Sequence, residues 1–383
     1  MHCLRDPGDG DDAVRHHEDG LLLIRDGRVE RIGDATALLP ELPEDIELHD
    51  HRGRLILPGF IDTHVHCPQT DMIASHGKQL LEWLESYVFP TEMRFAERAY
   101  ALDTTEFFID ELLRNGTTSA LVLGTVHAHS VDVIFEAARR RGLRLIAGKV
   151  LMDRHCPAEL QDTPESGYRD SKALIERWHG VDRLQYAITP RFAPTSSDAQ
   201  LARAGQLAAE HPGTVVHTHV AENTNEVAWV SELFPFARSY LDVYERFGLL
   251  RERSVLAHCI HLDADDRRLL AASGAAMAFC PTSNTFLGSG LFDLGAARAA
   301  GARVGLGTDV GGGTSFSMLK TLAEAYKVAQ LSGQTLPPYR ALHLATLGSA
   351  EALYIDDHVG NLVPGKEADF LIVDLECTPL MSR

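Results

Sequence analysis

Short runs of apolar and β-branched residues recur along most of the chain, and longer amphipathic stretches lie between them. A short apolar run bounded by glycine or proline is typical of a strand buried on both faces, whereas apolar residues spaced three and four apart indicate a helix. The pattern predicts eight strands, at residues 55–66, 117–124, 144–151, 184–190, 214–220, 254–259, 275–281 and 303–309. Helices are predicted between them, including residues 131–141, 197–210, 263–273 and 318–331.

This alternation of strands and helices predicts an α/β fold in which eight parallel strands, joined by crossover helices, close into a (β/α)8 TIM barrel. With 383 residues, the chain is long enough for one such barrel and a smaller attachment. The functional residues of these barrels gather at the carboxyl ends of the strands. Candidate chemistry is therefore expected where each predicted strand ends.

Both ends of the chain have a different, turn-rich pattern. Residues 20–33 contain two β-rich runs around Asp26-Gly27, which is a two-residue hairpin signal, and residues 358–374 return to β sequence. Because neither piece has enough strands to be stable alone, we expect the two to pair in a small β-sandwich-like domain. The predicted division assigns residues 1–57 and 358–383 to this domain and residues 58–357 to the barrel.

The charge balance narrows the range of partners. Lysine and arginine number 36 against 54 aspartate and glutamate residues, so the formal net charge of −18 disfavours binding to nucleic acid or to an anionic membrane. The six cysteines are scattered without a C-x-x-C pair, which suits a reducing compartment. No apolar signal core opens the chain and no run approaches the length of a membrane span, so we expect a cytoplasmic protein.

Two histidines stand at the end of the first predicted strand. His64 and His66 are two residues apart, so in a strand their side chains point to the same face. Paired imidazoles at the end of a buried strand suit a first-row metal ion, most simply zinc or ferrous iron. An isolated H-x-H pair is most often just two histidines, so the interpretation depends on what the other strands provide.

Other predicted strands deliver further candidate ligands at their ends. The fifth strand presents His217 and His219 on one face, with Glu222 three residues beyond; the sixth ends at His258, and the eighth at Asp309. Taken singly, a strand histidine is usually a hydrogen-bonded interior residue and a strand-end aspartate often caps a helix. Four strand ends that each present a histidine or an aspartate, however, predict a metal site.

Several other residues could be mistaken for parts of this site. A second H-x-H pair, His127 and His129, follows the apolar run of the second strand, where strand geometry no longer holds, so we expect surface or supporting roles. Lys149 could bridge two metals if carboxylated, but its apolar surroundings offer no second carboxylate and favour a single metal. Cys67 and Cys259 adjoin candidate ligands but point away from them, so packing roles are expected.

Six segments carry a resemblance to a known family. They read Pro58-Gly-Phe-Ile-Asp-Thr-His-Val-His-Cys-Pro-Gln-Thr-Asp71, Leu80-Leu-Glu-Trp-Leu84 with Phe89-Pro-Thr-Glu92, Thr189-Pro-Arg-Phe-Ala-Pro194, His219-Val-Ala-Glu-Asn223, Cys280-Pro-Thr-Ser-Asn284 and Gly307-Thr-Asp-Val-Gly-Gly312. In these segments the chain resembles the amidohydrolase superfamily and, within it, the guanine deaminases. The Pro-Gly-Phe-x-Asp-x-His-x-His and Gly-Thr-Asp pieces are shared by many amidohydrolases, whereas Pro-Gln-Thr-Asp, Leu-Leu-Glu-Trp-Leu and Pro-Arg-Phe-Ala-Pro are more specific to guanine deaminases.

The resemblance implies a function, a cofactor and a set of site residues. The implied reaction is hydrolytic deamination of guanine to xanthine and ammonia, in a homodimer that holds one zinc ion per chain, with ferrous iron as the alternative. The implied metal ligands are His64, His66, His219 and Asp309, with His258 as a further ligand or a neighbour of the ion. The implied substrate contacts are Gln69, Arg191, Phe192, Glu222, His219 and Asp309.

The chemistry of guanine deamination gives these residues separate roles. A metal-activated water would attack C2, Asp309 would accept its proton, and His258 would hold the attacking oxygen. Glu222 would act as the proton shuttle, passing a proton to ring N3 and then to the departing amine. Arg191 offers a donor fork for the O6 and N7 edge, Gln69 can donate and accept, and Phe192 can stack on the purine.

Two departures from the family pattern and two alternative functions remain. The β segment after residue 358 is expected to be shorter than in similar chains, and His76 and His155 stand where other residues are expected. The same metal centre could act on 8-oxoguanine or on an s-triazine. A catalytically silent relative that serves as a scaffold is the alternative outside enzymes.

Overall fold

The computed structural model describes residues 1–9, 11–76 and 78–382. Its centre is a sheet of parallel strands, here β1 to β8, each hydrogen-bonded to the next along the chain. The eight strands are Phe60–His66, Thr117–Leu123, Arg144–Gly148, Leu184–Pro190, Val215–Val220, Ser254–His258, Ala276–Phe279 and Arg303–Leu306. A two-residue segment, Val150–Leu151, continues β3 along β4.

The sheet closes on itself between its first and last strands. The backbone N–H of Asp309, just beyond β8, donates to the carbonyl oxygen of His64 on β1 at 2.9 Å. The carboxylate of Asp62, also on β1, accepts a hydrogen bond from the backbone N–H of Thr308 at 3.0 Å. These contacts complete a nearly closed barrel of eight parallel strands, which confirms the predicted TIM-barrel fold.

Helices surround the barrel and cover the outer faces of its strands. The α-helices are Ala35–Leu38, Leu80–Trp83, Phe89–Met93, Arg98–Arg114, Ala128–Arg140, Pro164–Trp178, Asp198–Glu210, Thr224–Leu233, Tyr240–Arg246, Ala264–Ser273, Pro281–Phe286, Leu294–Ala299, Met318–Leu331, Pro338–Ala345 and Leu347–Ala352. The helix predicted at residues 131–141 begins one turn earlier, at Ala128. Apolar side chains such as Ile61, Ile146 and Val255 fill the barrel interior against Leu353 and Ile355, so the opposite end is left for polar groups.

The predicted strand at residues 55–66 is two strands, and the prediction of one is wrong. Arg54–Pro58 pairs antiparallel with Phe370–Asp374 outside the barrel, and β1 begins only at Phe60. The break falls at Gly59, where a Cβ atom would lie 2.0 Å from Oγ1 of Thr118. The apolar pattern continues through this crossing from one sheet to the other, so it contains no sign of the break.

The two ends of the chain meet as the sequence indicates. Gly20–Arg25 and Arg28–Asp34 form an antiparallel hairpin around Asp26 and Gly27, which have φ angles of 50° and 72°. Positive φ at both central residues matches the twist of a two-residue hairpin and suits Asp-Gly. The pairing of Arg54–Pro58 with Phe370–Asp374 joins the N-terminal and C-terminal segments. The division at residues 57 and 358 stays a prediction.

Membrane insertion has no support among the helices. Within residues 1–9, 11–76 and 78–382, no helix combines the length and the apolar character needed to cross a bilayer.

Candidate active site at the carboxyl ends of the barrel strands

Three histidines and one aspartate converge inside the carboxyl end of the barrel. The Nε2 atom of His66 lies 3.2 Å from Nε2 of His64, 3.2 Å from Nε2 of His219 and 3.2 Å from Oδ1 of Asp309. Nε2 of His64 lies at the same distance, 3.2 Å, from Oδ1 of Asp309. β1, β5 and the end of β8 therefore bring together the four side chains that the sequence nominates as metal ligands.

His258 and Glu222 complete the polar end of the barrel. Nε2 of His258 lies 3.8 Å from Oδ2 of Asp309 and 3.3 Å from Oε2 of Glu222. His258 also belongs, with His64 and His219, to a group whose nitrogens lie within metal-binding distance of one another. The structure thus places His258 between the histidine cluster and Glu222.

Sharp backbone turns after β5, β6 and β8 aim these side chains inward. Ala221, His258, Cys259 and Asp309 all have positive φ, between 50° and 70°. Such angles are uncommon for residues other than glycine and persist where the surrounding fold imposes them, often at functional sites. The turns allow a strand to deliver a ligand at its last residue and the chain to leave at once toward the next helix.

Hydrogen bonds behind the rings fix which nitrogens face the centre. The Nδ1 atom of His219 lies 2.7 Å from the carbonyl oxygen of Arg191, and Nδ1 of His258 lies 2.8 Å from Oδ1 of Asn284. A carbonyl oxygen only accepts, so the proton of His219 sits on Nδ1, and the Asn284 contact assigns the proton of His258 in the same way. Their Nε2 atoms then present lone pairs to the centre.

This donor set fits a divalent metal ion. Nε2 of His66 lies 3.2 Å from Nε2 of both His64 and His219, so one cation can be shared by the three nitrogens. Ligands at the zinc–nitrogen bond length in a tetrahedral site are about 3.3 Å apart, close to the observed spacing. Imidazole nitrogens and a carboxylate are ligands that zinc and ferrous iron both accept.

Burial sets the ionisation of the two carboxyl groups at the centre. It raises the pKa of Glu222 to about 7, and the hydroxyl of Ser289 donates a hydrogen bond to its Oε1 at 3.1 Å. Burial acts to raise the pKa of Asp309 as well, but the rings of His64, His66 and His258 outweigh it and hold that pKa well below the ordinary value. Asp309 is therefore an anion, whereas Glu222 can both release and accept a proton near neutral pH.

A pocket with about 390 Å³ of empty space, part of it continuous with solvent, opens directly above the cluster. Its walls include Gln69, Arg191 and Phe192, the predicted substrate contacts, together with Glu222, His258 and Asp309. The roof is apolar and was not predicted; it consists of Leu80, Trp83, Leu84 and Leu287. The Leu-Leu-Glu-Trp-Leu motif marks three of these four residues, but no periodicity assigns them to a pocket.

Four polar residues support the site from behind. No role was predicted for Glu92, Asn284 or Ser289, and His217, a candidate ligand by its strand position, supports His64 instead. Glu92 forms a buried ion pair with Arg191, and His217 lies 2.7 Å from Nδ1 of His64. Asn284 and Ser289 contact His258 and Glu222 as described above. Asn284 and Glu92 each end a motif that carries the resemblance, Cys280-Pro-Thr-Ser-Asn284 and Phe89-Pro-Thr-Glu92, and these motifs are the signal that could have found them. Ser289 lies outside every such motif.

The second histidine pair lies away from the cluster. Nε2 of His129 contacts the carbonyl oxygen of Phe95 at 2.7 Å, and the ring of His127 stacks on that of His129 with centroids 5.7 Å apart. Neither histidine belongs to the groups capable of holding a metal among the described residues.

Lys149 differs from the prediction. Its ammonium group is fully buried and pairs with the carboxylate of Asp162, so the prediction of apolar surroundings without a carboxylate is wrong. Asp162 lies thirteen residues further on, in a loop whose path the sequence pattern does not reveal. The pair satisfies a charge that would otherwise be costly to bury.

The cysteines beside the ligands are packed and buried. Sγ of Cys67 lies 3.5 Å from Oγ1 of Thr105, and Sγ of Cys259 contacts a backbone carbonyl oxygen of its own strand. Burial raises the pKa of both thiols. Cys280, which was not singled out, lies within metal-binding distance of His64 and Asp309, but burial also raises its pKa and keeps it a thiol.

Comparison with known proteins now adds to the geometry. Residues 55–382 match the sequence model of the Amidohydrolase family. This chain belongs to the amidohydrolase family. The match covers all eight barrel strands and every residue of the cluster, and amidohydrolases are metal-dependent enzymes, in keeping with the His/Asp group described above.

Several relatives that match nearly the whole chain are guanine deaminases. The chain is 54% identical over 368 residues to the guanine deaminase of Escherichia coli (strain K12). The aligned region covers 96% of this chain and 84% of the relative. A solved structure of E. coli guanine deaminase superposes with a TM-score of 0.97 at 53% identity, covering 98% of this chain and 87% of that one. The guanine deaminase of C. acetobutylicum, solved with guanine in its active site, superposes with a TM-score of 0.86 at 29% identity. The match covers 92% of this chain and 84% of that one.

Proposed function

We propose that this amidohydrolase catalyses the hydrolytic deamination of guanine: water adds at C2, the C2–NH2 bond breaks, and xanthine and ammonia leave. The observation that carries the proposal is the convergence of Glu222 and the His/Asp cluster on one cavity that Arg191 and Phe192 also line. The names of relatives that match nearly the whole chain support the same reaction.

His64, His66, His219 and Asp309 would hold one metal ion, with His258 as a fifth ligand or a close neighbour. We propose zinc, because the solved structure of an adenosine deaminase from Xanthomonas campestris, 25% identical to this chain, contains bound zinc. When bound, such an ion supplies Lewis acidity that makes water nucleophilic near neutral pH. Ferrous iron suits the same ligands and is the alternative.

Protein groups then move the protons. Asp309, an anion at the wall of the cavity, accepts a proton from the attacking water, and His258 orients the oxygen. Glu222 protonates ring N3, then takes the proton of the hydroxyl group added at C2 and passes it to the departing amino group, which leaves as ammonia. The proton held by Asp309 moves to Glu222 and restores the starting state. Its carboxyl lies 3.3 Å from Nε2 of His258 and is held by Ser289, which leaves it beside the position of the attack. The role of Asp309 rests on its position, and that of Glu222 rests on its position and on a pKa raised to about 7.

Gln69, Arg191 and Phe192, which also line the cavity, would recognise the base. Arg191 presents donors suited to the O6 and N7 acceptors of guanine, and Phe192 provides an aromatic surface for the ring. Gln69 can donate to and accept from the base. The apolar roof of Leu80, Trp83 and Leu84 excludes water from the bound purine.

Three further properties belong to the proposal. The enzyme acts in the cytoplasm as a homodimer, with a small purine and water as its substrates and without nucleic acid or membrane partners. The net charge of −18 supports the last point, and large exposed side chains on two outer helices, Phe107, Leu319 and Tyr326, suit a subunit contact. Light scattering on the purified chain tests the dimer.

A substrate panel tests the function. Zinc-loaded protein is given guanine, 8-oxoguanine and an amino-s-triazine, and ammonia and product are measured against metal-free protein. We expect the highest kcat/KM for guanine, with xanthine and ammonia formed in equal amounts. A higher kcat/KM for either other ring would contradict the substrate assignment, and no turnover of any ring by protein that holds its metal would favour a silent relative.

A further inference from the structure

We propose that Glu92 is a positioning residue for recognition of the purine O6 and N7 edge, an inference that rests on the function proposed above. Glu92 lies on the short helix Phe89–Met93 and is not among the side chains that line the cavity. It acts through Arg191 and Gln69, which do line the cavity.

The geometry of the ion pair supports this role. Nη1 of Arg191 donates to Oε1 of Glu92 at 3.0 Å and to Oε2 at 2.8 Å. Across the described residues, neither Nε nor Nη2 of Arg191 has a hydrogen-bond partner. One edge of the guanidinium is therefore fixed by Glu92, and the remaining donors are left for a ligand with two adjacent acceptors.

The same carboxylate also holds Gln69. Nε2 of Gln69 donates to Oε1 of Glu92 at 3.1 Å, and Oε1 of Gln69 accepts from the backbone N–H of Gly311 at 3.2 Å. These two contacts fix the orientation of the amide, because its nitrogen must face the carboxylate and its oxygen the N–H group. Gly311 follows Asp309 by two residues, so Glu92 links the base-recognition wall to the metal-binding loop.

Burial makes the arrangement specific for an uncharged base. Arg191 is 3% exposed and Glu92 is 1% exposed, so solvent screens their charges little. Glu92 neutralises the guanidinium, and the wall therefore offers hydrogen-bond donors without a net positive charge. A neutral purine with acceptors at O6 and N7 fits such a wall, whereas a purine without O6 leaves a buried donor unpaired.

The variant Glu92→Gln tests the inference in the metal-loaded enzyme. A neutral amide cannot accept from Nη1 with both of its end atoms, so Arg191 loses its fixed orientation. We measure direct binding of hypoxanthine, which has O6 and N7, and of unsubstituted purine, which lacks O6. We expect the Kd of hypoxanthine to rise about 10-fold and that of purine to change less than about twofold, because only the former needs the oriented donors.

Two further variants separate positioning from general damage. Glu165→Gln is the matched control, since Glu165 is an exposed glutamate that pairs with an arginine, Arg203, between two outer helices. We expect it to bind both purines as wild type does. Arg191→Lys removes the donor fork, and combining it with Glu92→Gln should add little further loss of hypoxanthine affinity if Glu92 acts through Arg191. If Glu92→Gln does not fold, Glu92→Asp is used in its place. The shorter side chain keeps the negative charge but moves it away from Nη1 of Arg191, and the Kd values of hypoxanthine and purine are compared as before.

Wild-type measurements come first and separate the two proposals. Wild type that neither deaminates guanine nor binds hypoxanthine overturns the proposed function, and this inference with it. Wild type that does both, with Glu92→Gln binding hypoxanthine unchanged or losing affinity for both purines equally, overturns the role of Glu92 alone. Fully additive losses in the double variant also overturn it.

Discussion

A single ring supports the histidine cluster from behind. Nε2 of His217 lies 2.7 Å from Nδ1 of His64, and both side chains are fully buried inside the barrel. If His64 donates from Nδ1, its Nε2 is left bare toward Asp309 and the other ligands. Partners of this kind fix the orientation of metal-binding histidines and increase their basicity. His217 therefore prepares His64 to bind a metal without binding it.

Replacing His217 should weaken metal binding. For His217→Ala we expect the affinity for zinc to fall about 10- to 100-fold, because His64 loses the partner that fixes its ring. Competition with a chromogenic chelator measures this without an activity assay. His127→Ala, at a half-buried histidine away from the cluster, is the control and should retain wild-type affinity. An unchanged affinity in His217→Ala would contradict the supporting role.

Gln79 connects the segment that roofs the cavity to two neighbouring loops. Gln79 accepts a hydrogen bond from Nδ2 of Asn223 at 2.9 Å and donates to the carbonyl oxygen of Leu287 at 3.3 Å. The helix Leu80–Trp83 and a π-helical turn, Leu84–Val88, follow it directly, and such turns are frequent at functional sites. Asn223 is the neighbour of Glu222, so the roof and the proton shuttle share one anchor.

Loss of this anchor should weaken substrate binding more than chemistry. Gln79→Ala removes both hydrogen bonds and loosens Leu80, Trp83 and Leu84 over the cavity, so we expect KM for guanine to rise about fivefold while kcat changes less than about twofold. Steady-state kinetics on guanine measure both constants. Gln206→Ala, at an exposed glutamine on an outer helix, provides the comparison. A Gln79 variant with wild-type KM would show that the roof does not depend on this residue.

Two carboxylates clamp the C-terminal segment to arginines of the barrel, and Glu367 contacts both Arg144 and Arg183, whereas Asp369 contacts Arg183 alone. Glu367 accepts hydrogen bonds from Nε of Arg144 at 3.0 Å and from Nε of Arg183 at 2.9 Å. Burial acts to raise the pKa of Glu367, but the two arginines outweigh it and lower the pKa from 4.5. Arg144 begins β3, so the clamp joins the segment before Phe370–Asp374 to the barrel.

Glu367→Gln should reduce stability in a pH-dependent way. At pH 7 we expect the free energy of unfolding to fall by about 2 kcal/mol, because the charge-assisted hydrogen bonds of Glu367 to two arginines are weakened. A carboxylate whose pKa is lower in the folded state stabilises above its unfolded value of 4.5, and this stabilisation disappears as the pH falls through the folded value. Urea titrations from pH 7 to pH 3.5 should therefore show the difference from wild type shrinking below pH 4.5. Glu376→Gln, at an exposed glutamate, is the control, and a difference that stays constant with pH would contradict the clamp.

Metal binding should stabilise the whole barrel, because the ligands come from β1, from β5 and from the segment just after β8, which are far apart in sequence. An ion that binds only the folded protein, at 100 times its Kd, adds about 2.7 kcal/mol to the free energy of unfolding. We expect Tm to fall by several degrees when the metal is removed with a chelator and to recover when zinc is restored. Calorimetry of the two forms measures this, and equal Tm values would show that the cluster does not hold an ion.

The sequence predicts most of the fold and most of the cluster for the same reason. Strand periodicity places His64 beside His66, and the barrel rule places strand ends such as Asp309 at one edge, so local patterns are enough. The break at Gly59, the ion pair of Lys149 with Asp162, and Glu92 depend on contacts between segments distant in sequence. The periodicity of the sequence does not encode these contacts, because they form only between segments that the fold brings together.

The most direct test of the account is the guanine turnover and metal content of Glu222→Gln beside wild type. The account predicts about one metal ion per chain in both proteins, conversion of guanine to xanthine by wild type, and a kcat at least about 100-fold lower in the variant, because the amide cannot carry the proton. A variant that holds its metal and deaminates guanine within a few-fold of wild type would contradict the proton-transfer role of Glu222 and the mechanism built on it.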